Sequence, residues 1–290
     1  PGTFQSINGK FGSSEADWTW GNRYDLGYMT VDNHGWGVTF MNVDGPNATY
    51  MMPQESLEVF VGGTGGQATT ATRAIYGLEQ TLNAGNMSSV EINKIWRAPA
   101  FHNGTIFEPM VGLRYVHFMD HFKHDIFGRF DTNANDSYPD FLLPLETGPW
   151  EVIRTRQAWY ENQMLGGQLG FRLNRQLGHW KLSSELRLFA FQNWQFLQIT
   201  EEQTAYNIDG GTRGHFNQAS EAPVHLDNQE FVFGGELRVE VAYQLTRDIA
   251  LRTGFMMMDF GRGVGRGGSL AGSDQDVLMV GYTMGVTINR

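Results

Sequence analysis

Between Val232 and Phe260, apolar and polar residues alternate with a period of two. Leu237, Val239, Val241 and Tyr243 interleave with Glu236, Arg238, Glu240 and Ala242. A short polar turn follows, Leu245-Thr246-Arg247-Asp248, and then Leu251, Thr253, Phe255 and Met257 alternate with Arg252 and Gly254. This parity predicts a hairpin of two long strands with one apolar and one charged face. The same pattern predicts strands over residues 22–31, 35–43, 88–98, 107–119, 159–174, 179–200 and 276–289. Tyr24, Leu26 and Tyr28 stand opposite Asp25, and Val90, Ile92 and Trp96 opposite Glu91 and Arg97. Val111, Leu113 and Tyr115 stand opposite Glu108 and Arg114. Leu165 and Leu169 alternate with Arg172 and its neighbours, and Leu186 and Leu188 with Glu185 and Arg187. The last strand is the most regular, with Val280, Tyr282, Met284 and Val286 on one face and Gly and Thr on the other.

The connections alternate between short and long. Turns near 32–34, 176–178 and 245–248 are brief, whereas 44–86, 120–156, 201–228 and 261–275 are long and rich in Gly, Asn, Asp and Thr. Outer-membrane barrels have this asymmetry, with short periplasmic turns and long external loops. A secreted sandwich is the alternative, and it has no reason to alternate so regularly. The fold expected is therefore an all-β, antiparallel up-and-down transmembrane barrel. An irregular segment, 1–21, precedes a single barrel domain, 22–290. Nine strands are visible. An even-stranded barrel with a periplasmic N-terminus would need a tenth, placed either within residues 1–20 or ahead of Pro1.

Composition narrows the function classes. The chain has 290 residues and no cysteine, so neither disulfides nor thiol chemistry are available. Its net charge of −10 at pH 7 argues against nucleic acid as a partner. No run approaches the roughly 18 apolar residues of a membrane helix. The 36 glycines and 13% aromatic residues suit close-packed, tilted strands with rings at the membrane interfaces.

Parity then sorts the side chains. The lipid-facing set is Leu165, Leu169, Leu186, Leu188, Leu237, Val239, Val241, Val280, Tyr282, Met284 and Val286. The lumen-lining set is Asp25, Glu91, Glu108, Glu185, Glu236 and Glu240 with Arg97, Arg114, Arg172, Arg187, Arg238 and Arg252. Acids and bases balance, and every base is Arg, whose planar fork matches a carboxylate. Unpaired buried charge is costly, so the pattern favours a lumen filled by mutual ion pairs. A narrow polar pore for small solutes is the alternative, but a selective pore more often carries an excess of one sign. Glu236 and Glu240 share a face as glycosidase carboxylates do, yet Arg238 lies between them and any barrel interior produces such pairs. No catalytic residue and no cofactor is assigned.

Three further motifs carry weaker chemistry. His117, His121 and His124 would share a helical face, or gather in a loop, and could hold a transition metal. Asp131-Thr132-Asn133-Ala134-Asn135-Asp136 begins like a calcium loop but has Asp136 and Leu142 where an EF-hand needs Gly and Glu. Its oxygens would make only a looser site, so no metal is assigned. The tract Gly261-Arg262-Gly263-Val264-Gly265-Arg266-Gly267-Gly268 has no helix to receive a phosphate and reads as a flexible external loop.

Several segments taken in order carry a resemblance. They are Tyr24-Asp25-Leu26-Gly27-Tyr28, Val90-Glu91-Ile92-Asn93-Lys94-Ile95-Trp96-Arg97, and Phe107-Glu108-Pro109-Met110-Val111-Gly112-Leu113-Arg114-Tyr115. With them go Glu161-Asn162-Gln163-Met164-Leu165-Gly166-Gly167-Gln168-Leu169-Gly170, Leu182-Ser183-Ser184-Glu185-Leu186-Arg187 and Gly285-Val286-Thr287-Ile288-Asn289-Arg290. The set resembles the large paralogous family of outer-membrane β-barrel proteins of planctomycete bacteria. That resemblance implies a barrel in the outer membrane of a diderm bacterium, with outer-membrane lipid as its first partner. The external loops are the expected contact points for further copies of the chain or for other surface proteins.

Overall fold

The computed structural model describes residues 19–57, 75–130, 150–209, 212–267 and 274–288. Among these every regular element is a β-strand: β1 (Gly21–Met29), β2 (His34–Leu57), β3 (Ile75–Trp96), β4 (Thr105–Phe130), β5 (Trp150–Leu177), β6 (Trp180–Asp209), β7 (Thr212–Ser220), β8 (Val224–Gln244), β9 (Ile249–Val264) and β10 (Gln275–Ile288). Nine of them pair in the order β1-β2-β3-β4-β5-β6-β8-β9-β10, and β7 pairs only with β6. All pairings are antiparallel. These nine are the strands that parity predicts, and they form one curled sheet. Among the described residues β1 and β10 do not pair with each other. The sheet nevertheless curls far enough for Arg23 of β1 to reach Glu236 of β8 at 2.9 Å.

The strands are longer than parity indicates. β4, β5 and β6 have 26, 28 and 30 residues, against the roughly 9–11 that a tilted strand needs to cross a membrane. Much of what reads as loop at 44–86, 120–156 and 201–228 is therefore strand. The physical reason lies in the outer face. Beyond Tyr115, Leu165 and Ala190 it turns polar, through His117, Gln163 and Gln192, while the inner face there is partly apolar. The contrast that parity relies on disappears, although the hydrogen-bonded ladders continue.

β7 is strand where the sequence suggests loop. It extends the β6 hairpin from Asp209↔Thr212 down to Glu202↔Ser220, and β8 takes over the same edge of β6 at Ile199↔Val224. Pro223 sits at the break, where its missing N–H interrupts the ladder. At the opposite end, connections are short. Asn33 adopts a left-handed φ of 63° between β1 and β2, and Gly178 one of 61° between β5 and β6, conformations that Asn and Gly tolerate.

Candidate functional site: the inner face of the curled sheet

Strand β6 shows how the inner face is layered. Read upward from the turn at Gly178, its inward residues are Glu185 and Arg187, then Phe189 and Phe191, then Asn193 and Gln195. The neighbouring strands repeat this order, so the interior consists of a charged layer, an apolar layer and an amide layer.

The charged layer centres on Glu236. Its Oε2 accepts a hydrogen bond of 2.7 Å from Arg114 Nη1, and its Oε1 one of 2.9 Å from Arg23 Nη1. Arg114 is only 2% exposed. Its Nε donates to Ser89 Oγ at 3.1 Å, and its guanidinium lies 5.5 Å from the Phe189 ring. Arg187 binds both Glu91 and Glu185. Glu185 also takes a 3.0 Å bond from Arg238 and is paired with Arg172. Gln168 donates to Glu91 at 3.0 Å and to Asn93 at 2.7 Å. Nearer the short turns, Glu108 accepts from Arg97 at 2.7 Å and from Asn174 at 2.9 Å. Asp25 faces Arg238 at 3.4 Å and Arg252 at 3.2 Å, and Glu240 lies 3.9 Å from Arg238.

All twelve charged residues singled out by parity therefore lie in one ion-pair network, which six strands supply at its centre. Sequence reading missed Arg23, which bonds Asp25 and Glu236. The signal was present, because Arg23 shares the parity of Asp25 on a strand whose first residues are less regular. Buried Ser89 and Asn174 were also missed, since neutral polar residues on a charged face carry no distinctive pattern. Glu236 and Glu240 do not form an isolated carboxylate pair, because Glu236 is bound by two arginines.

Above this lies the apolar layer. Met41, Met87, Val116, Phe118, Met164, Phe189, Phe191, Val232, Met258, Phe260, Val264 and Val277 are buried against one another. They come from every strand of the path except β1. Phe189 and Phe191 stack at 4.7 Å, and Phe260 approaches Phe189 at 5.3 Å. Gly234 makes room for this cluster, since a Cβ there would collide with the Phe189 ring and with the Asp259 carbonyl.

The amide layer corrects the reading of the Gly/Arg tract. Gly263–Gly265 is buried against the inner face. Asn162 binds Gly265 through both of its amide atoms: Nδ2 donates to the Gly265 carbonyl at 2.9 Å, and Oδ1 accepts from the Gly265 N–H at 2.7 Å. Asn193 and Gln195 donate to the Gly263 carbonyl at 2.8 and 2.7 Å. Asp120, itself buried, accepts from Gly267 N–H at 2.9 Å and from Arg266 Nε at 3.3 Å. Gly263 has φ +106°, and a Cβ on Gly265 would meet the Tyr160 ring at 2.5 Å, so both positions require glycine. The described part of the tract is a latch folded into the interior.

The histidine reading is also corrected. His117, His121 and His124 lie on strand β4, where a period of two puts His117 and His121 on the outer face and His124 on the inner one. His117 faces Glu161 at 3.0 Å, and His121 stacks on Trp159 at 4.9 Å. Among the described residues no group of three or more His, Asp or Glu could hold a metal ion. Asp131 and Asp136 lie outside the described residues.

The outer face carries the apolar residues. Leu165, Leu169, Leu188, Val239, Val280, Tyr282, Met284 and Val286 are exposed, and Leu186, Leu237 and Val241 share their side of the sheet. Such a continuous exposed apolar surface does not suit water. At the short-turn end it is bordered by Trp180 packed on Tyr243 at 4.8 Å and by Lys94 over Trp36 at 4.7 Å.

The comparisons with known proteins agree with this architecture. No curated protein and no solved structure matches the chain. Residues 5–270, most of its length, match the family model described as "Putative beta barrel porin-7 (BBP7)", and the chain belongs to that family of β-barrel porins.

Proposed function

We propose that this chain is a bacterial outer-membrane barrel whose lumen is sealed, and that its role is structural or one of surface interaction. In this reading the charged layer lines the lumen and the apolar outer face meets lipid. The observation that carries the reading is the stacking of two buried layers. The Glu236 network leaves Arg114 only 2% exposed, and the Phe189–Phe191–Phe260 cluster sits directly above it. An ion or sugar would have to break several charge-assisted bonds and then cross a buried apolar layer. Exposed strand edges are not tolerated in hydrocarbon, so the reading includes closure between β1 and β10 by a further strand.

A narrow channel for small solutes is the second reading. The family description as a porin favours it, as does the abundance of charge on the inner face. Swelling of proteoliposomes in an isotonic pentose solution separates the two. A sealed lumen gives no swelling above that of empty vesicles, whereas a channel gives swelling that rises with the amount of protein.

A further inference from the structure

Above the apolar outer band, the sheet presents a second surface that the sealed-lumen reading leaves unused. Register aligns Gln163, Trp194 and Gln229 in one row across β5, β6 and β8. Two rungs higher, His121, Trp159 and Gln198 form another row across β4, β5 and β6. Between them lie Phe196, 45% exposed, and Met119, 43% exposed. Trp159 is 37% exposed, and its ring is held parallel to His121, with 4° between the planes. Gln163 donates to Glu161 at 2.8 Å, which fixes the carboxylate beside these rings. The surface combines rings and side-chain amides.

Its height follows from strand geometry. Trp194 and Gln198 lie 14 and 18 residues above Trp180. At about 3.3 Å per residue and a tilt near 40°, that is roughly 35–45 Å along the membrane normal. With Trp180 at the lower interface of a hydrocarbon core of about 30 Å, the lower row falls in the outer headgroup layer and the upper row stands just beyond it, where only extended headgroups reach. Their chemistry then selects among headgroups. Across these rows the outer face of β4, β5, β6 and β8 carries no Lys or Arg but does carry Glu161 and Asp227, and Lys123, one step above His121, is already paired with Asp125 at 2.8 Å. A phosphate would meet carboxylates without a compensating cation. Neutral sugar hydroxyls would meet side-chain amides and carboxylates, with ring faces to stack on.

We propose that this face docks the neutral sugar headgroups of glycolipids in the surrounding leaflet. The inference rests on the membrane reading above. The test compares thermal unfolding of the protein inserted in vesicles of phosphatidylcholine alone, of phosphatidylcholine with digalactosyldiacylglycerol, and of phosphatidylcholine with phosphatidylglycerol. The galactolipid should raise the midpoint by about 2 °C, the scale of a 1 kcal/mol interaction in a chain of this size, and phosphatidylglycerol should not. Trp159→Ala with Phe196→Ala should abolish the rise while leaving the midpoint in phosphatidylcholine near wild type. Gln198→Ala removes an exposed amide opposite Trp159 and keeps both rings, and should reduce the rise. Equal midpoints in all three vesicles, or a larger rise with phosphatidylglycerol, would overturn the proposal. Failure to insert in any vesicle would instead strike the membrane reading beneath it.

Discussion

Replacing Glu236 by Gln keeps the shape of the side chain and removes its charge. Two charge-assisted bonds, from Arg114 at 2.7 Å and Arg23 at 2.9 Å, become neutral or are lost, each worth about 1.5–3 kcal/mol. Arg187, 3.9 Å away, also loses part of its balance. The three guanidiniums then face one another with Glu91 and Glu185 as the remaining central carboxylates. Breaking a buried pair on one side typically costs about 3–5 kcal/mol, and the variant should lose that much stability in urea unfolding from detergent micelles. The double variant Glu236→Leu with Arg114→Met removes both members of one pair and fills the space with apolar atoms. It should recover most of the loss, because well-packed apolar replacements of buried pairs are often neutral. A loss below about 1 kcal/mol for Glu236→Gln would refute the reasoning. It would mean that water screens the network, as in an open channel.

Phe191→Ala should cost about 3–5 kcal/mol in the same unfolding assay, because the ring is fully buried in the apolar layer; a small loss would show that the layer is loosely packed. Gly234→Ala should destabilise by about 1–3 kcal/mol, since its Cβ would press on Phe189, and an unchanged unfolding curve would contradict that packing. Asn162→Ala removes both bonds to Gly265. It should speed tryptic cleavage after Arg266 in the folded protein, and an unchanged cleavage rate would show that the latch does not depend on Asn162.

The lower half of each strand was legible because both faces report on their surroundings. Leu237, Val239 and Val241 against Glu236, Arg238 and Glu240 require no tertiary information to sort. The upper halves were not legible, for a reason visible in β4. Above Tyr115 the outer residues His117 and Lys123 are polar, while the inner residues mix Phe118 and Phe122 with Asp120. Neither period marks such a segment as strand. The histidines illustrate the consequence: spacings of four and three suggest a helical face, whereas an extended chain splits them between two sides. The latch was illegible for a different reason. Asn162 and Asp120 stand 103 and 147 residues from the backbone groups they hold, so no local pattern announces the contact. A glycine tract that binds its own barrel reads along the chain like one that is free.

The central claim is that two closed layers seal the interior, and single-channel recording of the purified protein in a planar bilayer tests it most directly. The wild-type protein should insert and remain silent. Steps of conductance should appear only when Phe189→Ser and Phe191→Ser open the apolar layer together with Arg187→Ala in the charged one. Steady conductance in the wild type, altered by Arg187→Ala or Glu236→Ala alone, would contradict the account and make the same residues the lining of a pore.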